Sequence, residues 1–245
     1  MTHSDPLDDG LQRLAAVPAQ TAAAAADPSV TAEPITVVIV DDHLMVAESL
    51  ATVLGAEQDI VVLGIAATCA AGLAAIAMHN PDVLLLDQRL PEGLGTDLLP
   101  AIFRISPNLK VLMVTGGDSD DDLVRAITGG AAGLIPKGSR ASTLINAVRA
   151  AANDEAVITP DAMRRLMPRL TNRITTLATD HLTNREREVL KMLTAGQGTD
   201  DIATDLCISP ATTRNHIQSI MTKLNAHSRL EAVAIAARDN VLHEP

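Results

Sequence analysis

The chain has 245 residues, of which 30 are acidic and 19 are basic, so its formal net charge is −11. This length suits one large domain or two ordinary ones, and the acidic balance argues against a general nucleic-acid coat protein, although such an average can hide a local basic face. Because Trp and Tyr are absent and Phe103 is the single aromatic residue, a stacking platform for single-stranded nucleic acid is not expected.

The first 34 residues differ in composition from the rest of the chain. They are rich in Ala, Asp and Pro, with alanine at 22–26, and this predicts a disordered tail over residues 1–34. The acidic segment 1–10 lacks the apolar core of a secretory signal. Cys69 and Cys207 lie far apart and form no CxxC motif, which is typical of reduced thiols. We therefore expect a cytoplasmic protein.

From Ile35 onward, short apolar runs alternate with segments that have helical apolar spacing. The pattern predicts strands at 36–40, 60–65, 83–86, 109–115 and 132–136, and helices at 44–54, 69–79, 95–105, 119–128 and 140–152. Short, continuously apolar strands that alternate with helices predict a parallel sheet covered on both faces. The predicted fold class of residues 35–153 is therefore α/β, with five parallel strands in a doubly wound arrangement.

One segment has the length of a membrane span, because residues 60–78 carry no charge. Its second half is mostly Ala, which adds little transfer free energy, and Gly64 and Gly72 weaken the pattern further. Thr68 is a suitable N-cap for a new helix. The segment predicts a buried strand followed by a helix of small residues, and no membrane association.

Residues 154–180 contain Pro160, Pro168 and four arginines, and we interpret them as a linker. After it the pattern indicates helices only. The capping-box pattern Thr183–Glu186 begins a helix that ends near Gly196, and further helices begin near Thr199, at Ser209-Pro210 and near Arg229. We expect a small all-α domain over residues 181–245.

Polar residues follow several of the predicted strands. Asp41 and Asp42 end the first strand and Asp87 ends the third, while Thr115 and Lys137 end the fourth and fifth. In open parallel α/β sheets, ligands bind outside the carboxyl ends of the strands. Clustered carboxylates repel one another unless a cation is present, and hard oxygen ligands suit Mg²⁺. A carboxylate beside Mg²⁺, a hydroxyl and a lysine can act as the nucleophile on a phosphoryl group.

This ordered set resembles the receiver domain of bacterial response regulators. The matching residues are Asp41-Asp42, Asp87, Leu90-Pro91, Gly95, Thr115-Gly116, Gly130-Ala131 and Pro136-Lys137. The resemblance implies that Asp87 is the phosphoacceptor and that a sensor histidine kinase is the phosphoryl donor. It implies that Mg²⁺ is held by Asp41, Asp42, Asp87 and the backbone carbonyl of Arg89. Thr115 and Lys137 would bind the phosphoryl oxygens and report their arrival.

Two features bear on this interpretation. The family usually places at position 134 an aromatic ring whose rotation couples phosphorylation to the output surface, and Leu134 cannot act in the same way. A phosphatase of the haloacid-dehalogenase class also uses an Asp after an apolar strand. That chemistry needs a second acid two residues later, where this chain has Arg89, so a hydrolase is the least favoured alternative.

The C-terminal helices resemble the LuxR-type helix-turn-helix of the NarL/FixJ response regulators. The matching residues are Leu182–Leu190, Ile202-Ala203, Leu206, Ser209, Thr212, His216-Ile217, Lys223-Leu224 and Ser228–Ala232. In the helix that begins at Ser209, one face is predicted to pack on the other helices; it consists of Thr213, Ile217, Ile220, Met221 and Leu224. Residues 209–229 contain no acid, so the opposite face suits DNA.

The resemblance implies that Arg214, Asn215 and Gln218 face the major groove, where short polar and basic side chains can read base edges. Lys223 would contact a phosphate, and His216 would pack or contact a phosphate. Asp200 stands where the family commonly has a basic residue. A carboxylate there suits the helix N-terminus but repels phosphate, so DNA affinity is expected to be modest or strongly salt-sensitive.

Together these observations predict a transcriptional response regulator that is not a turnover enzyme. Phosphotransfer to Asp87 would lead to homodimer formation and binding of double-stranded DNA at paired promoter half-sites. One alternative is a phosphorylation-independent DNA-binding regulator of the same architecture, which Leu134 favours. Another is a phosphotransfer or protein-interaction module whose DNA-binding domain is vestigial.

Overall fold

A computed structural model describes residues 33–116, 119–170 and 182–238. The predicted tail lies outside these residues except for its last two positions. The chain divides into two compact units at the bond between Leu109 and Lys110. The domain boundaries predicted from the sequence stay predictions.

The first unit consists of strands, three helices and a short 3-10 helix among the residues described. In chain order its elements are β1 (Ile35–Val40), α1 (Leu44–Gly55), β2 (Ile60–Ala66), α2 (Cys69–His79), β3 (Val83–Asp87), β4 (Arg89–Leu90), β5 (Gly93–Leu94), the 3-10 helix (Gly95–Leu98) and α3 (Leu99–Ile105). Strand β1 pairs in parallel with both β2 and β3. Strands β4 and β5 form a small antiparallel pair that directly follows β3.

The second unit begins with two parallel strands and then continues mainly as helices. In chain order its elements are β6 (Lys110–Thr115), α4 (Asp120–Thr128), β7 (Gly133–Pro136), α5 (Ala141–Ala152), α6 (Pro160–Leu170), α7 (Asn184–Thr194), α8 (Thr199–Asp205), α9 (Pro210–Leu224) and α10 (Arg229–Arg238). Strand β7 pairs with β6, and Gly133 also forms a bridge with Val157.

The five long strands belong to one sheet in the order β2-β1-β3-β6-β7. This order, with helices between successive strands, confirms the predicted α/β fold class and the all-α segment that follows it. Strand β3 lies at the centre of the sheet, and all five of its residues are buried. Burial on both faces explains why the sequences of these strands are continuously apolar.

The uncharged segment 60–78 forms strand β2 and most of helix α2, as predicted. The side chain of Thr68 accepts a hydrogen bond from the backbone N–H of Ala71 and caps α2. Among the residues that the structure describes, no helix is long and apolar enough to cross a membrane.

The prediction for helix 95–105 was wrong at its beginning. The α-helix begins at Leu99, and the preceding four residues form the 3-10 helix. The backbone N–H of Gly95 donates to the carbonyl of Gln88 at 2.9 Å, so the chain turns tightly against the end of β3. A side chain has no space there, because a Cβ added at Gly95 would overlap the carbonyl oxygen of Asp87.

Helix α6 lies inside the segment interpreted as a linker. The hydroxyl of Thr159 accepts a hydrogen bond from the backbone N–H of Ala162, and the helix continues although Pro168 lies within it. Arg169 forms ion pairs with Asp120 and Asp121 of α4, at 3.2 and 3.0 Å. Helix α6 is therefore stabilised by contacts with residues that lie far away in the sequence.

Two apolar clusters hold the second unit together. One joins α7, α8, α9 and α10 around Val189, Ile202 and Ile220. The other, which we call the α4/α6/α10 cluster, consists of Leu123, Ile127, Leu166, Leu230, Ala234 and Ala237. The hydroxyl of Ser228, just before α10, donates to the backbone carbonyl of Ala131 at 2.9 Å and is buried. Helix α10 therefore packs against α4 as well as against its own neighbours.

Candidate functional site

The first candidate site lies where β1 and β3 end. Val40 and Leu86 are paired in adjacent strands, so the residues that follow them emerge side by side. Asp41 and Asp87 are buried, with 1% and 2% of their surfaces exposed, while Asp42 is exposed. One ligand atom from each of Asp41, Asp42, His43 and Asp87 lies within 4.8 Å of the others. The structure thus brings together the three carboxylates that the sequence singled out.

His43 belongs to the same cluster, and the sequence reasoning missed it. Its Nδ1 lies 2.7 Å from Asp42 Oδ1, 3.4 Å from Asp41 Oδ1 and 3.9 Å from Asp87 Oδ2. The backbone N–H of His43 donates to Asp41 Oδ1 at 2.9 Å, which fixes the residue beside the carboxylates. Its position directly after the two acids was the available signal.

This donor set fits a divalent cation. Two of the three carboxylates are buried at the end of the sheet, where mutual repulsion is weakly screened and a cation stabilises the charged forms. Carboxylate oxygens are the ligands that hard divalent ions prefer. The opening on the side of Asp42 and His43 leaves a path for an ion and its water.

The other predicted residues of this site lie at the ends of their strands. Thr115 is the last residue of β6 and is buried, and Lys137 directly follows β7. The backbone N–H of Lys137 donates to the carbonyl of Thr115 at 2.7 Å. Arg89 lies in β4, two residues after Asp87. The roles of Thr115 and Lys137, and of the carbonyl of Arg89, stay predictions.

Leu134 is half-buried in β7 and packs on the α4/α6/α10 cluster. Its backbone N–H donates to the carbonyl of Val157 at 3.0 Å. The position expected to carry a switch residue is thus occupied by an aliphatic side chain within an apolar contact. Its effect on coupling stays a prediction.

The second candidate site is the exposed face of α9. This helix is capped by Ser209, whose hydroxyl accepts from the backbone N–H of Thr212 at 3.0 Å. The residues predicted to pack inward are buried, and these are Thr213, Ile217, Ile220, Met221 and Leu224. Arg214, Asn215 and Gln218 are exposed, and His216 is half-buried. The structure therefore leaves the three predicted groove-reading side chains accessible, while their contact with DNA stays a prediction.

Lys223 has a partner inside the protein. Its Nζ lies 2.7 and 2.8 Å from the two carboxylate oxygens of Glu186, which also accepts from the hydroxyl of Ser219 at 2.6 Å. Glu186 is the N3 residue of α7 and completes the predicted capping box with Thr183. The ion pair joins α7 to α9 from positions 37 residues apart, so Lys223 helps to orient α9. Its contact with a phosphate stays a prediction.

The pKa of Glu186 reflects this environment. Burial raises the pKa of the carboxyl, but hydrogen bonds from Lys223, Ser219 and Thr183 outweigh burial and lower it from 4.5 to about 2. The carboxylate is therefore fully ionised at neutral pH. Sequence reasoning identified Glu186 as a helix cap and missed its contact with α9.

Two family models match separate parts of this chain. The family model of the response regulator receiver domain matches residues 37–149, and that of the luxR family of bacterial regulatory proteins matches residues 180–236. The first range contains the acidic cluster, and the second contains α7 to α9 and most of α10.

Similar proteins match nearly the whole described chain. The transcriptional regulatory protein NarL of Mycobacterium tuberculosis is 33% identical over 210 residues, covering 86% of this chain and 97% of that protein. The response regulator protein VraR of Staphylococcus aureus is 30% identical over 208 residues, covering 85% and 99%. A solved structure of RcsB dimers bound to DNA shares the fold, with a TM-score of 0.51, 22% identity and coverage of 84% and 99%.

Proposed function

The chain belongs to the NarL/FixJ-type response regulators, which join a receiver domain to a LuxR-type DNA-binding domain, and we propose that Asp87 is the residue through which this transcriptional regulator is switched. The observation that supports this assignment is the burial of Asp87 at the end of the central strand, within 4.8 Å of Asp41 and Asp42 ligand atoms. A sensor histidine kinase is the proposed phosphoryl donor.

In the proposed reaction, a carboxylate oxygen of Asp87 attacks the phosphorus of a phosphohistidine. A phosphorus–oxygen bond forms, the phosphorus–nitrogen bond breaks, and the departing imidazole nitrogen takes up a proton. Asp41, Asp42 and Asp87, with the carbonyl of Arg89, would hold Mg²⁺, which when bound neutralises charge that develops on the phosphoryl oxygens. Thr115 would donate a hydrogen bond from its hydroxyl to one phosphoryl oxygen, and Lys137 would pair with another.

The output of the proposed switch is the DNA-binding surface of α9. Arg214, Asn215 and Gln218 are exposed on α9 and do not belong to its buried face, and we propose that they read base edges in the major groove. An activated homodimer would place two such helices on paired half-sites of double-stranded DNA. The protein acts as a regulator, and its chemistry is limited to its own phosphotransfer.

Phosphorylation is tested with phosphoramidate and Mg²⁺, followed by intact-protein mass spectrometry. The wild-type chain is expected to gain one phosphoryl group, and Asp87→Asn is expected to gain none. Asp97→Asn is the matched control, because Asp97 is an exposed carboxylate of the neighbouring 3-10 helix and lies outside the acidic cluster. Retention of the phosphoryl group by Asp87→Asn would show that another residue is the acceptor.

DNA recognition is tested by binding of the full chain to fragments recovered from genome-wide occupancy. Arg214→Ala is expected to weaken binding about tenfold or more, because a bidentate base contact contributes about 1–3 kcal/mol. Lys191→Ala removes an equal charge from an exposed position on α7 and serves as control. Equal losses in the two variants would mean that α9 does not read the bases.

A phosphorylation-independent regulator is the second candidate function. It is favoured by Leu134, which lies packed against the α4/α6/α10 cluster where the family usually has an aromatic switch residue. The two functions differ in one measurement, which is the DNA affinity of phosphorylated wild-type protein compared with Asp87→Asn. Equal affinities would support the independent regulator, whereas tighter binding of the phosphorylated form would support the switch.

A further inference from the structure

Residues 155–158 lie beside the outer edge of the sheet. Strand β7 is the last strand in the sheet order, and an edge strand presents unpaired backbone groups unless another segment covers them. The backbone N–H of Val157 donates to the carbonyl of Ala132, and the backbone N–H of Leu134 donates to the carbonyl of Val157, both at 3.0 Å. Gly133, which lies between them, forms a parallel bridge with Val157. We call residues 155–158 the edge segment, because they continue the sheet beyond β7.

The absence of a side chain at Gly133 makes this close approach possible. A Cβ added at Gly133 would overlap the Cβ and the carbonyl oxygen of Val157. Gly133 does not have a positive φ, so its backbone conformation also suits alanine, and the close approach alone requires glycine. An alanine at this position would therefore force the edge segment away from β7.

The same short stretch of chain also binds the beginning of α10. The hydroxyl of Ser228, which directly precedes α10, donates to the backbone carbonyl of Ala131 at 2.9 Å, and this contact is buried. Ala131 is the residue before Ala132, whose carbonyl accepts from the edge segment. Residues 131–134 therefore hold the edge segment and the beginning of α10 at the same time.

The edge segment leads directly into α6 and its cluster. Ala156 and Ile158 pack against the α4/α6/α10 cluster. The hydroxyl of the next residue, Thr159, accepts from the backbone N–H of Ala162 in the first turn of α6. Leu166 of α6 is fully buried in the same cluster, together with residues of α4 and α10. Attachment of the edge segment to β7 therefore fixes where α6 begins and helps to hold α10 on α4.

Resting on the proposed function, we propose that the edge segment is a detachable restraint, which holds α10 on α4 while it is attached to β7 and thereby lowers the affinity for paired DNA half-sites. Two copies bound at paired half-sites present α9 with two-fold symmetry, whereas helices attached to α4 keep the orientation that α4 imposes. If the attached form exceeds the released form about tenfold, the apparent DNA affinity is about tenfold lower than that of the released form. Lys137 of the proposed phosphoryl site directly follows β7, so phosphorylation and release are coupled through this strand.

Two substitutions test the restraint from its two sides. Gly133→Ala introduces the overlapping Cβ on β7, and Val157→Pro removes the N–H that donates to the carbonyl of Ala132. Gly138→Ala is the matched control, because Gly138 lies just after β7 and nothing lies within 4 Å of its added Cβ. All three variants are made in the full chain and measured without a phosphodonor.

Hydrogen exchange measured by mass spectrometry reports the release, and DNA binding reports its consequence. Gly133→Ala and Val157→Pro are both expected to accelerate exchange in residues 155–158 and in α6, while peptides from β1 and α1 stay unchanged. Both variants are also expected to bind double-stranded fragments recovered from genome-wide occupancy about tenfold more tightly than the unphosphorylated wild type. Gly138→Ala should match the wild type in both measurements.

The outcomes separate this inference from the function on which it rests. Unless both variants accelerate exchange and also tighten DNA binding, the edge segment is not the restraint and the inference is wrong. If phosphorylated wild type binds DNA more tightly than unphosphorylated wild type while the two variants do not, the proposed function stands without this inference. If neither the phosphorylated wild type nor the variants bind double-stranded DNA, both the inference and the proposed function are wrong.

Discussion

The charge of Glu186 is expected to be a principal source of stability in the DNA-binding helices, and Glu186→Gln isolates that charge. Glutamine has nearly the same shape, and its amide oxygen can still accept from the backbone of Thr183. The substitution removes the negative partner of Lys223, whose Nζ lies 2.7 Å from the carboxylate. Only 4% of the surface of Glu186 is exposed, so water cannot replace what is lost.

The lowered pKa of the Glu186 carboxyl sets the size of the expected loss in stability. A decrease from 4.5 to about 2 corresponds to roughly 3 kcal/mol at about 1.4 kcal/mol per pKa unit. The side chain of Lys223 is 32% exposed, so solvent screens part of this attraction. We therefore expect Glu186→Gln to lower the free energy of unfolding of α7 and α9 by about 2 kcal/mol at pH 7.

The pH dependence has a definite direction. The folded-state pKa lies below the unfolded value, so the unfolded chain takes up the proton first as the pH falls. The stabilisation is complete above about pH 4.5 and is lost progressively as the pH falls towards 2. Wild type and Glu186→Gln should therefore differ at neutral pH and converge in acid.

Hydrogen exchange measured by mass spectrometry suits this chain. Without Trp or Tyr, intrinsic fluorescence cannot follow unfolding, and the two units need not unfold together. Peptides from α7 and α9 should exchange about 30-fold faster in Glu186→Gln, after correction for intrinsic rates, since 1.4 kcal/mol corresponds to a factor of ten. Peptides from β1 and α1 should be unaffected.

Glu188→Gln is the matched control for this experiment. It lies two residues further along the same helix, and its ion pair with Arg185 at 2.8 Å is solvent-exposed on both sides. Such a pair contributes about 0.5 kcal/mol or less. If the two substitutions accelerate exchange equally, burial of the Glu186 carboxylate does not strengthen its ion pair and the reasoning from its pKa is wrong.

Three further predictions follow from packing and burial. Gly95→Ala should displace the backbone of Asp87, slow phosphorylation and lower the Tm. Gly55→Ala should have none of these effects, because nothing lies within 4 Å of its added Cβ. Equal Tm values and phosphorylation rates in the two variants would contradict this. Because burial and the Glu92 hydrogen bond raise the pKa of Cys69 to about 11, maleimide should label the exposed Cys207 first at pH 7, and peptide mapping checks the order. Leu166→Ala should lower the free energy of unfolding by about 2–5 kcal/mol and accelerate hydrogen exchange in α4 and α10 together. The reason is that the Leu166 side chain is fully buried in the cluster that joins them. Faster exchange in one helix alone would refute the shared cluster.

Features that depend on local sequence could be predicted well. The strand residues Val83–Leu86 must be apolar throughout because both faces of the strand are covered. The hydroxyl of Thr183 and the carboxylate of Glu186 form both hydrogen bonds of the capping box, since that motif needs only four consecutive residues. The three carboxylates of the acidic cluster met because parallel strands end at one edge of their sheet.

Features that depend on distant partners could not be predicted in the same way. Helix α6 was interpreted as a linker because proline usually interrupts a helix, and the contacts of Leu166 and Arg169 with α4 are invisible in the local pattern. The family resemblance implied a phosphate contact for Lys223, but its ion pair with Glu186 of another helix had no local signal in the sequence. His43 directly follows the two acids, but no spacing rule shows that its side chain contacts Asp42.

The face of α10 that packs against α4 is already covered within the chain. Leu230, Ala234 and Ala237 are buried with Leu123 of α4, so another molecule could use the same face only after α4 has moved away. The free energy of any such association is reduced by whatever is needed to separate the two helices. Helix α4 and another molecule could therefore not occupy this face at the same time. A change of about 1.4 kcal/mol in the free energy of the α4–α10 contact would change the ratio of the two bound forms tenfold.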